Sequence, residues 1–503
     1  MPTKILTAAL NGLEATIIAV EADAGGGDFG QITIVGLPDT AVSEAKERVR
    51  SALRNCGLPY PRRKITVNLA PADLKKHGPS YDLPIAVSIL ALKNNFSVDS
   101  ADCLLAGELS LTGEVRPING VLSIALSASR AGIKNLFIPE KNTAEAGLVK
   151  KLKIFPVKNL KQLINHLNNK ELILPFTAKT IKEPETRYDF DLINIKGQEK
   201  AKRALEISAA GGHNLLFSGP PGSGKTLLAK TVPSILPRLT EPEKLEITKI
   251  YSVAGELKNN FSLIAARPFR SPHHSASAIA LVGGGSWPRP GEISLAHRGV
   301  LFLDEFPEFS RSALENLRQP LEEGLITISR AASSLLFPAK FTLLAAMNPC
   351  PCGYLGDKGQ TCVCSPQRIA NYRRRLSGPI IDRIDLHVGV GRISPEKLNE
   401  AGAEETSSLV RKRIEAARKI QAGRYKHQTF LTNAEMTGVS VNDFCRLDAA
   451  GSRFLNAAAE KISLSARSYF RILKLARTIA DLAAEKHILT GHLAEALQYR
   501  PKL

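Results

Sequence analysis

The chain has 503 residues, of which 44% are hydrophobic and 23% charged, with 67 Lys and Arg against 48 Asp and Glu. A chain of this length typically folds into about three domains, and this composition argues against a long disordered chain. The net charge of +19 favours a polyanionic partner, nucleic acid first and a membrane surface second, although many basic proteins simply carry solvated lysine-rich faces.

Several features indicate the compartment. No run of apolar residues approaches the roughly 18 that a membrane span requires. The N-terminal sequence MPTKILTAALNG lacks the apolar core and cleavage site of a signal peptide. Four of the seven cysteines are clustered, which is typical of metal ligands in a reducing compartment rather than of a disulfide framework. We therefore expect a cytoplasmic protein.

The predicted elements divide the chain into four segments. Residues 1–175 alternate short β-rich runs with helical ones, residues 176–190 are polar and charged, residues 191–390 alternate strands, loops and helices, and residues 391–503 are mostly helical. We expect two α/β domains separated by an interdomain linker and followed by a helical C-terminal domain.

The first segment shows clear local patterns. ATIIAVEADA, QITIVGL and KITVNLAP predict strands. TAVSEAKERVRSALRNCG predicts a helix, because Ala41, Ala45, Val49 and Leu53 recur at helical spacing and Gly57 ends the pattern. LPIAVSILAL suits a buried helix.

The third segment carries a phosphate-binding motif. GPPGSGKT fits the pattern G-x-x-x-x-G-K-[ST], follows the apolar strand Asn214–Phe217 and precedes a helix, which is the context that the motif requires. Backbone N–H groups of such a loop curl around phosphate, and the helix N-terminus adds the positive end of its dipole. We expect Lys225 to reach the β- and γ-phosphates and Thr226 to hold Mg²⁺. The predicted nucleotide-binding residues are Gly219, Pro220, Pro221, Gly222, Ser223, Gly224, Lys225 and Thr226.

Two more apolar strands end in groups that suit phosphate chemistry. VLFL is followed by Asp304 and Glu305, and we expect the first acid to hold Mg²⁺ and the second to polarise the attacking water. FTLLAAM ends at Asn348, whose amide can orient that water near the γ-phosphate. The sequence thus predicts ATP hydrolysis with Mg²⁺.

The motifs GPPGSGKT, VLFLDE, AAMN and DRIDL resemble those of AAA+ ATPases of the magnesium-chelatase-like branch. The flanks INIKGQEKAKRALEISAAGGHNLL and RSPHHSAS narrow this resemblance to the ComM/YifB family. The whole chain is similar to that family, essentially from end to end. The resemblance implies an AAA+ P-loop α/β domain with a C-terminal helical lid, Arg383 as a trans-acting arginine finger and Arg467 as the sensor-2 arginine. A finger supplied by a neighbour implies a ring, expected to be a homo-hexamer. Arg467 shares a helix face with Arg471 and Lys474, for which a solvated basic face is the alternative.

Two insertions of this branch are visible. The first precedes the acidic strand and contains Trp287 and Arg289, and the second predicts a hairpin with strands Leu325–Arg330 and Leu335–Phe337. Such hairpins line the central pore in related ring helicases, so Trp287, Arg289 and Arg330 are candidate contacts to a DNA strand through stacking and phosphate pairing. Packing against a neighbouring subunit is the alternative.

Cys350, Cys352, Cys362 and Cys364 form two C-x-C pairs separated by nine residues. Four thiolates can hold tetrahedral Zn²⁺ at about 2.3 Å each. The intervening GYLGDKGQT is Gly-rich and polar and has no core of its own. We expect structural zinc to pin this loop beside Asn348, and metal-free thiols or another metal are the alternatives.

The first segment resembles the Lon-protease C-terminal domain, a ribosomal S5 domain 2-like α/β fold, through HGPS, GELSLTGEVRPINGVL and SRAGIKNLFIP. Those proteases use a Ser/Lys dyad. Ser80 matches the serine, but Leu122 stands at the lysine position, and a serine without its base is a poor nucleophile. We expect a proteolytically inactive module for assembly or DNA binding. Its basic residues, each more simply explained as solvated surface, are Arg62, Arg63, Lys64, Lys75 and Lys76.

The family resemblance implies a helicase that drives branch migration of recombination intermediates in natural transformation, with ATP, Mg²⁺ and Zn²⁺ as cofactors. The expected partners are single-stranded, duplex or branched DNA, further copies of the chain and recombinase proteins. The alternatives are the ATPase subunit of a metal-insertion complex and a protein-remodelling ATPase, and the ATPase motifs do not discriminate among the three. The run Arg411–His427, with seven Lys or Arg and one Glu, is a candidate DNA-facing helix or a solvated face.

Overall fold

The computed structural model describes residues 2–26, 30–60, 63–93, 102–177, 188–257, 263–285, 287–330, 333–357, 359–393 and 405–501. The N-terminal strands are β1 (Thr3–Asn11), β2 (Glu14–Gly25), β3 (Ile32–Val35), β4 (Lys64–Ala70), β5 (Cys103–Leu105), β6 (Glu108–Leu109), β7 (Val115–Arg116), β8 (Asn135–Pro139) and β9 (Lys153–Val157). Seven of them form one sheet in the order β3-β4-β2-β1-β5-β8-β9. β2 is antiparallel to both of its neighbours, and the other pairs in this sheet are parallel.

The N-terminal helices are α1 (Thr40–Asn55), α2 (Asp82–Ala91), α3 (Val121–Arg130), α4 (Thr143–Ala146) and α5 (Leu160–Leu167). α1 begins where the Asp39 side chain accepts a hydrogen bond from the Val42 N–H, a typical N-cap. It buries the apolar stripe that the sequence predicts, including Val49 and Leu53. α2 is buried over nearly its whole length, as its unbroken apolar pattern indicates. The predicted strands and helices of this segment are confirmed to within a few residues.

The basic residues of the N-terminal part do not form one solvated surface. Lys76 is fully buried, and its ammonium group donates a hydrogen bond to the carbonyl oxygen of Pro71. The interpretation as solvated surface is therefore wrong for Lys76, because a backbone carbonyl replaces the water that its charge would otherwise require. Arg62 and most of the predicted linker, residues 178–187, lie outside the described ranges.

The central part is built on a second, wholly parallel sheet. Its strands are β10 (Leu215–Ser218), β11 (Phe269–Arg270), β14 (Val300–Leu303), β17 (Thr342–Met347) and β18 (Leu386–Gly389), in the order β11-β14-β17-β10-β18. The central part also contains two separate hairpins: β12 (Gly283–Gly284) with β13 (Arg289–Pro290), and β15 (Leu325–Arg330) with β16 (Ser333–Pro338). Its helices are α6 (Glu199–Gly211), α7 (Lys225–Ile235), α8 (Glu241–Ala254), α9 (Ala278–Val282), α10 (Glu292–Leu295), α11 (Arg311–Glu315), α12 (Arg318–Glu323), α13 (Pro366–Arg374) and α14 (Gly378–Ile381).

Packing on both faces explains why the central strands read as continuous apolar runs. Val300 and Phe302 of β14 join the core cluster on one face of the sheet. Leu301 and Leu303 point the other way and join a second cluster that includes the β15–β16 hairpin. Alternate residues of one strand face opposite sides, so a strand covered on both faces has no polar positions.

The predicted hairpin is present, with one difference. Its second strand begins at Ser333 rather than Leu335, because Arg330 already pairs with Ser333. The second strand of the hairpin is therefore longer than the sequence pattern predicts.

From Ser407 the described chain is helical: α15 (Ser407–Arg424), α16 (Gly438–Phe444), α17 (Ala449–Lys461), α18 (Ala466–Leu482) and α19 (Thr490–Leu497). The chain is thus a multidomain protein with two α/β sheets and a helical C-terminal region. No helix in the described ranges is long and apolar enough to cross a bilayer.

Several arginines on the two basic helix faces of the C-terminal region have partners within the fold. On α15, Arg411 donates to the carbonyl of Ser234, Arg413 to Glu206 and Arg424 to Asp481. On α18, Arg471 is buried and donates to the carbonyl of Ile384 at 2.8 Å. Arg411, Arg413 and Arg471 therefore hold their helices against the central part, and Arg424 joins α15 to α18. The lysines of the run are exposed, namely Lys412, Lys419 and Lys426, so a DNA contact or a solvated face for this run stays a prediction.

Candidate functional site

The phosphate-binding motif forms a loop between the end of β10 and the start of α7. Gly222 and Gly224 have φ values of +76° and +89°, in the left-handed region that favours glycine. A Cβ on Gly219 would lie 2.0 Å from the carbonyl oxygen of Val390, so only glycine fits there. The backbone is thereby held in the curl that the motif needs to surround a phosphate group.

Lys225 lies inside this loop. Its Nζ donates to the carbonyl oxygens of Gly219 and Pro220, both at 2.8 Å, and lies 3.3 Å from Oδ1 of Asn348. Burial lowers the pKa of Lys225, and the carboxylate of Asp304 acts in the opposite direction. The predicted phosphate-binding lysine and the predicted water-orienting amide of Asn348 are therefore brought together. They follow two adjacent strands of the sheet, β10 and β17.

The predicted Mg²⁺ ligands also meet. The Thr226 hydroxyl donates to Oδ2 of Asp304 at 2.6 Å, so one cation placed there would contact both oxygens. Ser223 contributes a buried hydroxyl that has no hydrogen-bond partner in the described part of the chain. Oxygen ligands, an amide-lined loop and this unpaired donor fit Mg²⁺ with a nucleotide polyphosphate.

Glu305 has a neighbour that the sequence does not predict. Its φ is +51°, which is uncommon for a residue other than glycine. Its Oε2 lies 2.9 Å from Nδ1 of His274, in the loop after β11. The only sequence signal for this contact is that His274 follows the strand that proves to lie beside β14.

Arg383 and Arg467 lie at the other end of the sheet. The Asn214 side chain, just before β10, donates to the carbonyl oxygen of Arg383 at 2.8 Å, whereas the phosphate loop follows β10. Four residues of strand span about 13 Å, so the two ends of β10 are well separated. Both arginines line a cleft of about 740 Å³ together with Gly299 and Thr342, at the starts of β14 and β17.

Glu322 on α12 joins the two arginines. It forms an ion pair with Arg383, and its Oε1 lies 3.3 Å from Nη2 of Arg467. Burial lowers the pKa of Arg383, and the positive charge of Arg467 lowers it further. The sequence gives Glu322 no distinguishing motif, and its role follows only from the packing of α12 against the loop before β18.

The four clustered cysteines form a compact group. All four sulfur atoms lie within 4.8 Å of one another, and Cys350, Cys352 and Cys362 are 3.4 to 3.6 Å apart. Four sulfurs around one tetrahedral Zn²⁺ would lie about 3.8 Å apart. The arrangement therefore fits a thiolate-bound metal.

The candidate DNA contacts differ in their surroundings. Arg289 is exposed on β13. The indole of Trp287 instead packs on the imidazole of His77 in the N-terminal part, with ring centroids 3.8 Å apart. Arg330 ends β15, at the tip of the hairpin. The structure thus places Trp287 between two parts of the chain, and its stacking on a base stays a prediction.

The protease-like residues are not assembled into a dyad. Ser80 lies in a short 3₁₀ helix, and Leu122 is buried on α3, where its N–H donates to Oε1 of Glu145 at 2.7 Å. The same carboxylate accepts a hydrogen bond from the hydroxyl of Ser252 on α8, and the Gly120 N–H donates to the Ser252 carbonyl at 3.1 Å. The helix with the lysine position therefore contacts the ATPase part.

Three family profiles match the chain: magnesium chelatase subunit ChlI over residues 191–398, subunit ChlI of Mg-chelatase over residues 20–142, and the ChlI C-terminal region over residues 404–500. Competence protein ComM of Haemophilus influenzae is 46% identical over 497 residues, which cover 97% of this chain and 95% of the relative. The protein YifB of Salmonella typhimurium is 44% identical, over 98% of this chain and 96% of its own length.

The chain belongs to the ComM/YifB family. Members of this family carry a magnesium-chelatase-like AAA+ core, which indicates an ATPase that uses ATP and Mg²⁺. The similarity to proteases is confined to one part: a Lon protease of Rhizobium meliloti is 32% identical over 149 residues, 27% of this chain and 18% of the protease. This ComM/YifB chain thus combines a chelatase-like core with a segment of partial Lon similarity.

Proposed function

We propose that the protein is an ATP-driven, ring-forming DNA motor that promotes branch migration of recombination intermediates, in natural transformation. The observation that carries the proposal is the split between the phosphate loop with Lys225 at one end of the central sheet and Arg383 at the other. Because an arginine finger must reach a γ-phosphate, this split requires a neighbouring subunit, as in a translocating ring. The similarity to a competence protein supports DNA as the substrate.

Hydrolysis is assigned to the groups that converge at the phosphate loop. Lys225 neutralises charge on the β- and γ-phosphates, and Thr226 and Asp304 hold Mg²⁺. Glu305 polarises the attacking water, which requires its carboxylate to turn away from His274. Asn348 is close enough to Lys225 to orient the same water beside the γ-phosphate. ATP and Mg²⁺ supply the energy and the charge neutralisation for this step.

Arg383 and Arg467 both act on the neighbour's nucleotide. Glu322 pairs with both guanidinium groups, and the proposal is that the γ-phosphate of the neighbour's nucleotide replaces this carboxylate. Six copies in a ring would give each phosphate loop one such pair of arginines. The homo-hexamer is the proposed assembly.

DNA is proposed to contact the two insertions, through Arg289 on β13 and Arg330 at the tip of the β15–β16 hairpin. Arginine pairs with backbone phosphates independently of sequence. Trp287 would join them only if its ring left His77. Arg411 on α15 and Arg471 on α18 have partners within the fold, which favours the insertions as the DNA contacts.

Zinc is the proposed occupant of the four-cysteine site, at about one ion per chain. Thiolate ligands persist in a reducing compartment, which fits the proposed cytoplasmic location. Recombinase proteins are proposed partners on the same grounds as the DNA substrate. The Lon-like segment is proposed to be proteolytically inactive because Leu122 cannot act as a base.

A metal-insertion ATPase is the second candidate, because the chelatase profiles match most of the chain. An ATPase assay with single-stranded, duplex or branched DNA distinguishes the DNA motor from the metal-insertion ATPase. The motor should be stimulated by DNA, and its DNA affinity should fall steeply with salt because phosphate contacts dominate. Absence of both DNA binding at low salt and stimulation would favour the chelatase-type function.

A further inference from the structure

The loop that carries the four cysteines lies directly against the phosphate loop. Gly353 follows the first cysteine pair and has a φ of +87°. A Cβ at this position would lie 2.5 Å from Cδ and 2.7 Å from Cγ of Pro221. The cysteine loop therefore packs on the outer side of the phosphate loop without room for even one additional carbon atom.

The same loop follows β17, the strand that leads to Asn348. Asn348 follows β17 and precedes Cys350 by two residues, and a Cβ on Gly353 would also lie 3.8 Å from Cγ of Asn348. Farther along, Asp357 forms an ion pair with Arg392 at 3.2 Å, just beyond β18. The loop thus lies against the phosphate loop, close to the Asn348 amide, and is paired with the segment that follows β18.

Little besides the cysteines holds this loop in its shape. Of the described residues between 350 and 364, only Cys350 and Gly353 are buried, and Val363 between the second pair is 81% exposed. Ordering a loop costs conformational entropy for every residue, and two buried residues offset little of that cost. A metal bound by all four sulfurs would supply the missing stabilisation.

We propose that a thiolate-bound metal, with Zn²⁺ as the first choice, makes the cysteine loop a clamp that holds the phosphate loop and Asn348 ready for nucleotide. Loss of the metal therefore weakens ATP binding itself, and not merely the stability of a distant part. The inference rests on the proposed zinc and nucleotide sites. It is independent of the DNA substrate, because it concerns ATP affinity.

The first test removes the metal. The variant Cys362→Ser/Cys364→Ser keeps the cysteine nearest Asn348 and should contain no zinc by metal analysis. With Mg²⁺ supplied, its dissociation constant for a fluorescent ATP analogue should rise about tenfold. Cys56→Ser/Cys103→Ser is the matched control: these cysteines lie outside the cluster, so it should keep one zinc per chain and bind ATP like the wild type.

The second test breaks the clamp while leaving the metal in place. Gly353→Ala forces a Cβ against Pro221, whereas Gly356→Ala, with a similar φ of +77°, meets nothing within 4 Å. Both variants carry the same kind of backbone strain and should retain zinc. Only Gly353→Ala should bind the ATP analogue about tenfold more weakly, while Gly356→Ala should stay within about twofold of the wild type.

Three results would overturn the clamp: equal ATP affinity for the two glycine variants, unchanged ATP affinity in the zinc-free variant, or a wild-type protein that carries no metal in the cluster. Failure of the DNA-motor proposal would look different. It would leave ATP binding metal-dependent while DNA had no effect on hydrolysis.

Discussion

The ATP site and the protease-like site begin from equally clear motifs but differ in the side chains that remain. At the ATP site, Lys225 begins α7, Asn348 follows β17, and their side chains lie 3.3 Å apart. In the N-terminal part, Leu122 stands where the Lon resemblance implies a lysine, and its backbone N–H donates to Glu145. The polar groups of the ATP site therefore converge, whereas Leu122 and Glu145 belong to an interdomain contact with Ser252 on α8.

The largest expected effect comes from breaking the assembled site. Lys225→Ala removes the positive charge beside the phosphates and should lower ATP turnover by about 10²–10³-fold. Lys230→Ala is the matched control, because Lys230 is exposed on the same helix. Steady-state hydrolysis by the two purified variants makes the comparison, and near-normal turnover in Lys225→Ala would remove this lysine from the mechanism.

Arg383→Ala should bind ATP normally and lose turnover to a similar extent, because its phosphate loop is intact but its neighbour's transition state is not stabilised. Mixing it with Lys225→Ala gives rings in which an intact loop can face an intact finger. Partial recovery of hydrolysis on mixing two inactive variants is the expected result. No recovery at any mixing ratio, with assembly verified by light scattering, would argue against action in trans.

Breaking the interdomain contact should have a smaller effect than removing a catalytic group, but the change in the free energy of unfolding should be measurable. Glu145→Ala leaves the Leu122 N–H and the Ser252 hydroxyl without their acceptor, at a cost of about 1–3 kcal/mol in unfolding free energy. Glu140→Ala, an exposed residue of the same segment, should change it by about 1 kcal/mol or less. Denaturant unfolding measures both, and equal effects would mean that this contact does not stabilise the fold.

The pH dependence of stability sharpens the same point. Burial raises the pKa of Glu145 above its usual value, so the folded state binds this proton more tightly than the unfolded state does. Its contribution to the free energy of unfolding therefore falls as the pH rises through the raised pKa. Glu145→Gln should flatten this part of the stability profile, and an unchanged profile would show that Glu145 does not titrate there.

The smallest effect is expected at the protease-like serine. Ser80→Ala should leave ATP turnover and DNA binding unchanged, because no base is available to activate Ser80. The protein should not cleave casein with or without ATP. ATP-dependent proteolysis that disappears in Ser80→Ala would show that another residue replaces the lysine.

Local sequence patterns predict most of the strands and helices, and the phosphate motif predicts Lys225 and Thr226 because it needs only adjacent residues and one strand–loop–helix unit. Contacts such as Glu322 with Arg383 depend on which elements pack together, and an isolated glutamate gives no sign of them. The basic run on α15 shows the opposite difficulty: its charges suggest a surface, but Arg411 and Arg424 find partners within the fold.

The most direct test of the proposed motor is a four-way DNA junction with labelled arms, incubated with protein, Mg²⁺ and ATP. We expect ATP-dependent conversion to product duplexes by the wild type, and none by Lys225→Ala. A wild-type protein that hydrolyses ATP and binds the junction, yet leaves its arms unexchanged, would contradict this expectation.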